Sequence, residues 1–111
     1  MADIPLGKVT TSAGVRVRLT SALADPAKLA LCHSYMVEVL PTNTGKVYIG
    51  DSQLVGATMF HVIAWLPVPT KNSAPSYTAT VSSAPNALQV TDRYLDVEVD
   101  GDGVTVAVAI N

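Results

Sequence analysis

The run Tyr94-Leu95-Asp96-Val97-Glu98-Val99-Asp100-Gly101-Asp102-Gly103-Val104-Thr105-Val106-Ala107-Val108-Ala109-Ile110 decides how this chain folds. In its first half Leu95, Val97 and Val99 fall on one face and Asp96, Glu98 and Asp100 on the other. In its second half Val104, Val106, Val108 and Ile110 share a face, with Thr105, Ala107 and Ala109 opposite. A period of two is the signature of half-buried antiparallel strands. Between them Asp100-Gly101-Asp102-Gly103 is rich in residues that accept a positive φ, and it reads as a hairpin turn. An Asp-x-Asp-Gly run also occurs in EF-hand calcium loops. Those loops need further oxygen ligands and a Glu at the twelfth position, between helices. Counted from Asp100 that position is Asn111, and the flanks are strands, so the turn reading stands.

Working outward, the same period recurs. Val15-Arg16-Val17-Arg18-Leu19 alternates apolar with basic, and His33 to Leu40 places Tyr35, Val37 and Val39 on one face. His61 to Leu66 reads as a strand that Pro67 and Pro69 end or confine to an edge, because proline cannot donate to a ladder. Thr70 to Ser76 has the composition of a surface loop, Ser76 to Ser82 suits a further strand, and Pro85-Asn86-Ala87 turns the chain toward Leu88-Gln89-Val90. Only Asp25-Pro26, ahead of Ala27 to Ala30, offers the cap and first-turn proline of a helix, long enough for a single turn. Seven to eight short strands with almost no helix predict an all-β chain. The expected form is a single antiparallel β-sandwich of jelly-roll type over residues 1–111, with 1–8 as an N-terminal arm or lead-in.

Composition bounds the function. At 49% hydrophobic, 111 residues can bury a core without disulfide or metal, and the single Cys32 excludes an intramolecular disulfide. Only 14% of residues are charged, against roughly 25% in ordinary soluble domains. A surface so poor in charge predicts cover by partners, either further copies or a larger assembly. The net charge is −2 and the seven Lys and Arg residues stand singly or nearly so, so neither duplex nor single-stranded nucleic acid is an expected ligand. Arg16 and Arg18, on one face of a strand, read as a solvated face or as half of an interface ion pair. The start lacks a basic stretch followed by an apolar one, and the apolar run at Val62 to Leu66 is far below the roughly 18 residues of a membrane helix. The expectation is synthesis in a cytoplasm and no membrane partner.

Asn43-Thr44-Gly45-Lys46-Val47-Tyr48-Ile49-Gly50-Asp51-Ser52 reads as a polar turn, a short strand and a second turn. This segment resembles one that recurs in small β-sandwich structural proteins of tailed bacteriophages, and the likeness extends more loosely from about Val9 to the terminal strand. The resemblance implies a building block with no enzymatic activity and no cofactor. It suggests a head decoration (cement) protein on the capsid surface, made in the host cytoplasm, with the major capsid protein as partner and the homotrimer as oligomeric state. A tail or spike subunit is the alternative within the virion, and a carbohydrate-binding module is the alternative outside it.

Candidate sites are few. Gly50-Asp51-Ser52-Gln53-Leu54 is similar to the nucleophile block of the GDSL hydrolases, but Gln53 interrupts the motif and both histidines lie at or before position 61. That family pairs Asp with His near the C-terminus of a longer α/β chain, and a serine without a positioned base is not a nucleophile. Cys32 and His33 are adjacent, so on a strand they face opposite ways and cannot share an ion, and His61 stands alone. Cys32 reads as a small buried hydrophobe. Trp65 suits an interface anchor or a sugar-stacking platform, for which Tyr77 is the one second aromatic in reach. Thr105, Ala107 and Ala109 leave the outer face of the last strand small and uncharged, so this face or the neighbouring edge is expected to meet another copy.

Overall fold

Branched and aromatic side chains at every second position hold the backbone extended, and each apolar stripe requires a second stripe to cover it. The computed structural model describes residues 2–21, 34–80 and 90–110, which form eight strands. These are β1 (Ala2–Thr10), β2 (Val17–Arg18), β3 (Ser34–Val39), β4 (Val47–Val55), β5 (Phe60–Leu66), β6 (Ser76–Thr80), β7 (Tyr94–Val97) and β8 (Gly103–Ile110). One sheet has the order β1-β8-β3-β6 and the other β2-β7-β4-β5, and every pairing is antiparallel. The pairs β1 with β8, β2 with β7, β3 with β6 and β4 with β5 are those of one long hairpin folded at the β4–β5 connection. Wound about itself, that hairpin adds the β8–β3 and β7–β4 contacts, which is a jelly roll. The fold expected from the alternation is therefore present.

The core lies between the sheets. Val9, Tyr35, Val37, Val39, Val104, Val106 and Val108 from the first meet Val47, Ile49, Leu66, Leu95 and Val97 from the second, with Leu19 and Val90 at the margins. Burying each such side chain contributes about 1.5–3 kcal/mol relative to leaving it exposed. Tyr77 packs its ring on Tyr35 at 6.2 Å between centroids, half-buried against this core.

Several local expectations differ from the structure. Residues 2–8 are no lead-in, because they belong to β1 and pair with β8 from Ala2↔Ile110 to Thr10↔Gly103. Asp100 to Gly103 does turn the chain, yet it joins β7 in one sheet to β8 in the other, so it is a corner and not a hairpin. Asp102 is buried there and accepts the Thr44 and Gly45 N–H groups at 3.1 and 2.8 Å. Asn43 exchanges two hydrogen bonds with the Gly103 backbone, at 2.7 and 3.0 Å. The Asn43-Thr44-Gly45 turn is thus a polar clasp on the β7–β8 corner.

Asp96, expected outward, is buried, and Val99, expected inward, is 37% exposed. The strand ends at Val97, so Val99 lies beyond the sheet. The Asp96 carboxylate is satisfied by N–H donors from Gly14 at 3.0 Å, Gly56 at 2.9 Å and its own neighbour Val97 at 2.8 Å. Three N–H donors satisfy the buried carboxylate oxygens. Val15 is 54% exposed because β2 begins only at Val17. The second turn expected at Gly50–Ser52 lies inside β4, at a break in its ladder. The expected helical turn near Asp25, Cys32 with His33, and the Pro85 turn fall outside the described residues.

Candidate interaction surfaces

Between Gly50↔Val62 and Val55↔Phe60, β4 uses five steps where β5 uses two, so residues 51–54 loop off the ladder. The loop starts with Asp51 accepting the Gln53 N–H at 2.9 Å and ends with Leu54 buried. The chain returns at the 3-10 turn Gly56–Thr58, where Gly56 lies flat on the Tyr48 ring. A Cβ on Gly56 would come 2.2 Å from that ring, so only glycine fits. Met59 caps the turn in the left-handed conformation, with φ 57°, and its N–H donates to the Gly56 carbonyl at 3.0 Å. His61 follows with φ 55°, an uncommon conformation for a side chain of this kind.

His61 Nδ1 and Asp51 Oδ2 are 2.7 Å apart, and the Phe60 ring lies tilted against the imidazole, at 4.2 Å between centroids and 52° between planes. The His61 bond, aided by the Gln53 N–H, holds the Asp51 carboxyl below the usual carboxylate range. An ionised carboxylate only accepts, so Nδ1 carries the proton of this bond. Sequence reading treated His61 as solitary because ten residues separate it from Asp51, and only the β4–β5 hairpin brings them together. The exposed Ser52 hydroxyl makes no hydrogen bond with either side chain. Among the described residues no group of three or more His, Cys, Asp or Glu comes together to hold a metal ion.

β5 is an edge strand of its sheet. Ile63 and Trp65 point outward from it and are about half exposed, as are Met59 and Phe60 at its start. The Lys46 ammonium lies 5.1 Å from the Trp65 ring centroid. Trp65 and Tyr77 form no shared platform, since Tyr77 packs inward on the other sheet. The apolar character of Met59, Phe60 and Ile63 was overlooked in the sequence. The signal was there: from Phe60 to Leu66 both faces of the strand are free of acids and of Lys or Arg.

The other predicted site residues lie elsewhere. Arg16 is exposed ahead of β2, outside any strand, and Arg18 on β2 donates through Nε to the Tyr94 hydroxyl at 2.9 Å. The two arginines sit at the β2 edge, opposite the β5 edge that carries Trp65. On the outer face of the first sheet, pairing aligns cross-strand rows: Lys8, Thr105, Glu38 and Ser76 form one, and Ala107, Met36 and Thr78 the next. Thr105 is exposed, Ala107 half-buried and Ala109 buried. A depression of about 290 Å³ opens there, lined by Ser34, Met36, Thr78, Ala107, Val108 and Ala109. A second, of about 260 Å³, lies over Tyr48 and Asp96, whose carboxylate is already taken by the three N–H donors.

No protein-family model matches the chain, and neither a curated protein nor a solved structure does.

Proposed function

We propose that the protein is a non-enzymatic structural component of a tailed-phage virion, a decoration protein that binds the outside of the capsid shell and stabilises it by bridging neighbouring capsomers. The observation that carries this reading is a pair of charge-poor surfaces on opposite sheets of one small jelly roll. The Ala107-Met36-Thr78 row lies on one sheet, and the Phe60-Ile63-Trp65 edge lies on the other. A bridging protein needs two contacts, and uncharged, half-exposed surfaces lose little on being covered. The Asn43–Ser52 resemblance supports the same role. A jelly roll alone does not, since the fold also serves lectins and enzymes.

The row on the first sheet is assigned to the shell. Ala107 and Thr78 are small enough to let another backbone approach closely, and Met36, 41% exposed between them, offers an apolar side chain to the contact. Purified shells of the parent phage, stripped of this protein, should bind it back in a co-sedimentation assay. Ala107→Lys should weaken that binding at least tenfold, about 1.4 kcal/mol, by placing a charge in the contact. Binding unchanged by Ala107→Lys would remove the assignment of this face.

A further inference from the structure

The β5 edge has a polarity along its length that its apolar content hides. At one end Trp65 carries the Lys46 ammonium over its ring, and Lys46 makes no ion pair among the described residues. At the other end stands the Asp51–His61 pair, its side chains 42% and 37% exposed. Ile63, 47% exposed, lies midway between Trp65 and His61 in the sequence of outward residues. We propose that a second copy of this chain covers the β5 edge, packed antiparallel about a twofold axis at Ile63, so that Lys46 and Trp65 of each copy meet Asp51 and His61 of the other.

The edge is self-complementary. In a twofold contact, residues equally spaced on either side of the axis exchange places, so position 65 faces position 61 and position 63 faces itself. Apolar then meets apolar at the centre, and cation meets anion at both ends. Three strands running side by side about a threefold axis would instead bring Lys46 near Lys46 and Asp51 near Asp51. Charge pairing therefore selects the antiparallel arrangement, and an even-numbered assembly over the trimer that the resemblance implies.

The contact is made chiefly by side chains. Ala64 and Val62 face the consecutive residues Ile49 and Gly50, so β5 has an extra residue at Ile63, and His61 has left-handed φ. Both features interrupt the regular row of free N–H and C=O groups that an edge-to-edge ladder needs. Phe60, Ile63 and Trp65 are then the buried anchors and Lys46 and Asp51 fix the direction.

The test is sedimentation velocity on the full chain at micromolar concentration, with circular dichroism to verify folding. The unmodified protein should be a dimer. Lys46→Glu should weaken it at least tenfold by setting two acids against each other, and Ile63→Asp should abolish it by placing two carboxylates at the axis. Asp51→Lys should also weaken it, while the double variant Lys46→Glu/Asp51→Lys should recover most of the affinity. Loss of the Asp51–His61 bond in that double variant is a local cost, so Lys46→Glu and Ile63→Asp decide if it fails to fold. A monomer, a trimer, a dimer indifferent to those two substitutions, or a folded double variant without recovery would each overturn the proposal.

Discussion

Buried carboxylates in this protein are held by backbone N–H groups, and this explains why so acidic a stretch as Tyr94 to Asp102 can be packed. Asp96 and Asp102 each draw distant loops onto the β7–β8 corner: Gly14 and Gly56 in one case, Thr44 and Gly45 in the other. Asp51 uses the same chemistry at the surface, with a side-chain donor as its main partner. Its folded-state value is depressed, so its contribution to stability is present above the ordinary aspartate value of about 3.9 and is lost as the pH falls through the lower folded value. Carbon-detected NMR should show Asp51 titrating below that reference in the intact protein. His61→Ala should bring it back toward the reference, since His61 is the largest cause of the shift. An Asp51 titration unmoved by His61→Ala would disprove the pairing.

At the scale of elements, the β4–β5 hairpin is the part with the most function to explain and the least sequence signal. Alternation made β8 plain, because Val104, Val106 and Val108 are buried as their spacing requires. It also made the edge position of β5 legible, through Pro67. It failed wherever a loop folds over an outward face. Asp96 alternates as a solvent residue but is covered by the Gly14 loop and the Gly56 turn, and no period within a strand encodes what will lie on top of it. The Asn43–Ser52 segment showed its turn and strand, while the ladder break at residues 51–54 depends on how β5 returns. The hairpin's return rests on Gly56. Gly56→Ala, forced against the Tyr48 ring, should destabilise the protein by about 1–3 kcal/mol in urea unfolding, as overpacking does elsewhere. Wild-type stability in that variant would mean the hairpin does not lie on Tyr48. Of the residues proposed from sequence, Trp65 has the exposure an interface asks for and Ala107 sits in a depression. Arg16 and Arg18 are at the far edge, and one of them is engaged by Tyr94.

At the scale of the whole molecule, a jelly roll of eight strands leaves its two outer faces and its edge strands for contact with other molecules. Low charge, an uncharged row on one sheet and an apolar edge on the other fit a protein whose surface is meant to be covered. In the arrangement we propose, the two surfaces divide the work: one would grip the shell, and the other would join two copies so that a single assembly spans two attachment points. Linked contacts of this kind hold far more tightly than either alone, because the second forms at high effective concentration. The most direct test is an electron-microscopy reconstruction of the parent virion at a resolution that traces β-strands. The account predicts jelly-roll density on the outer capsid surface that fits this chain, with the Ala107 face toward the shell. A fully traced shell without that density would contradict it.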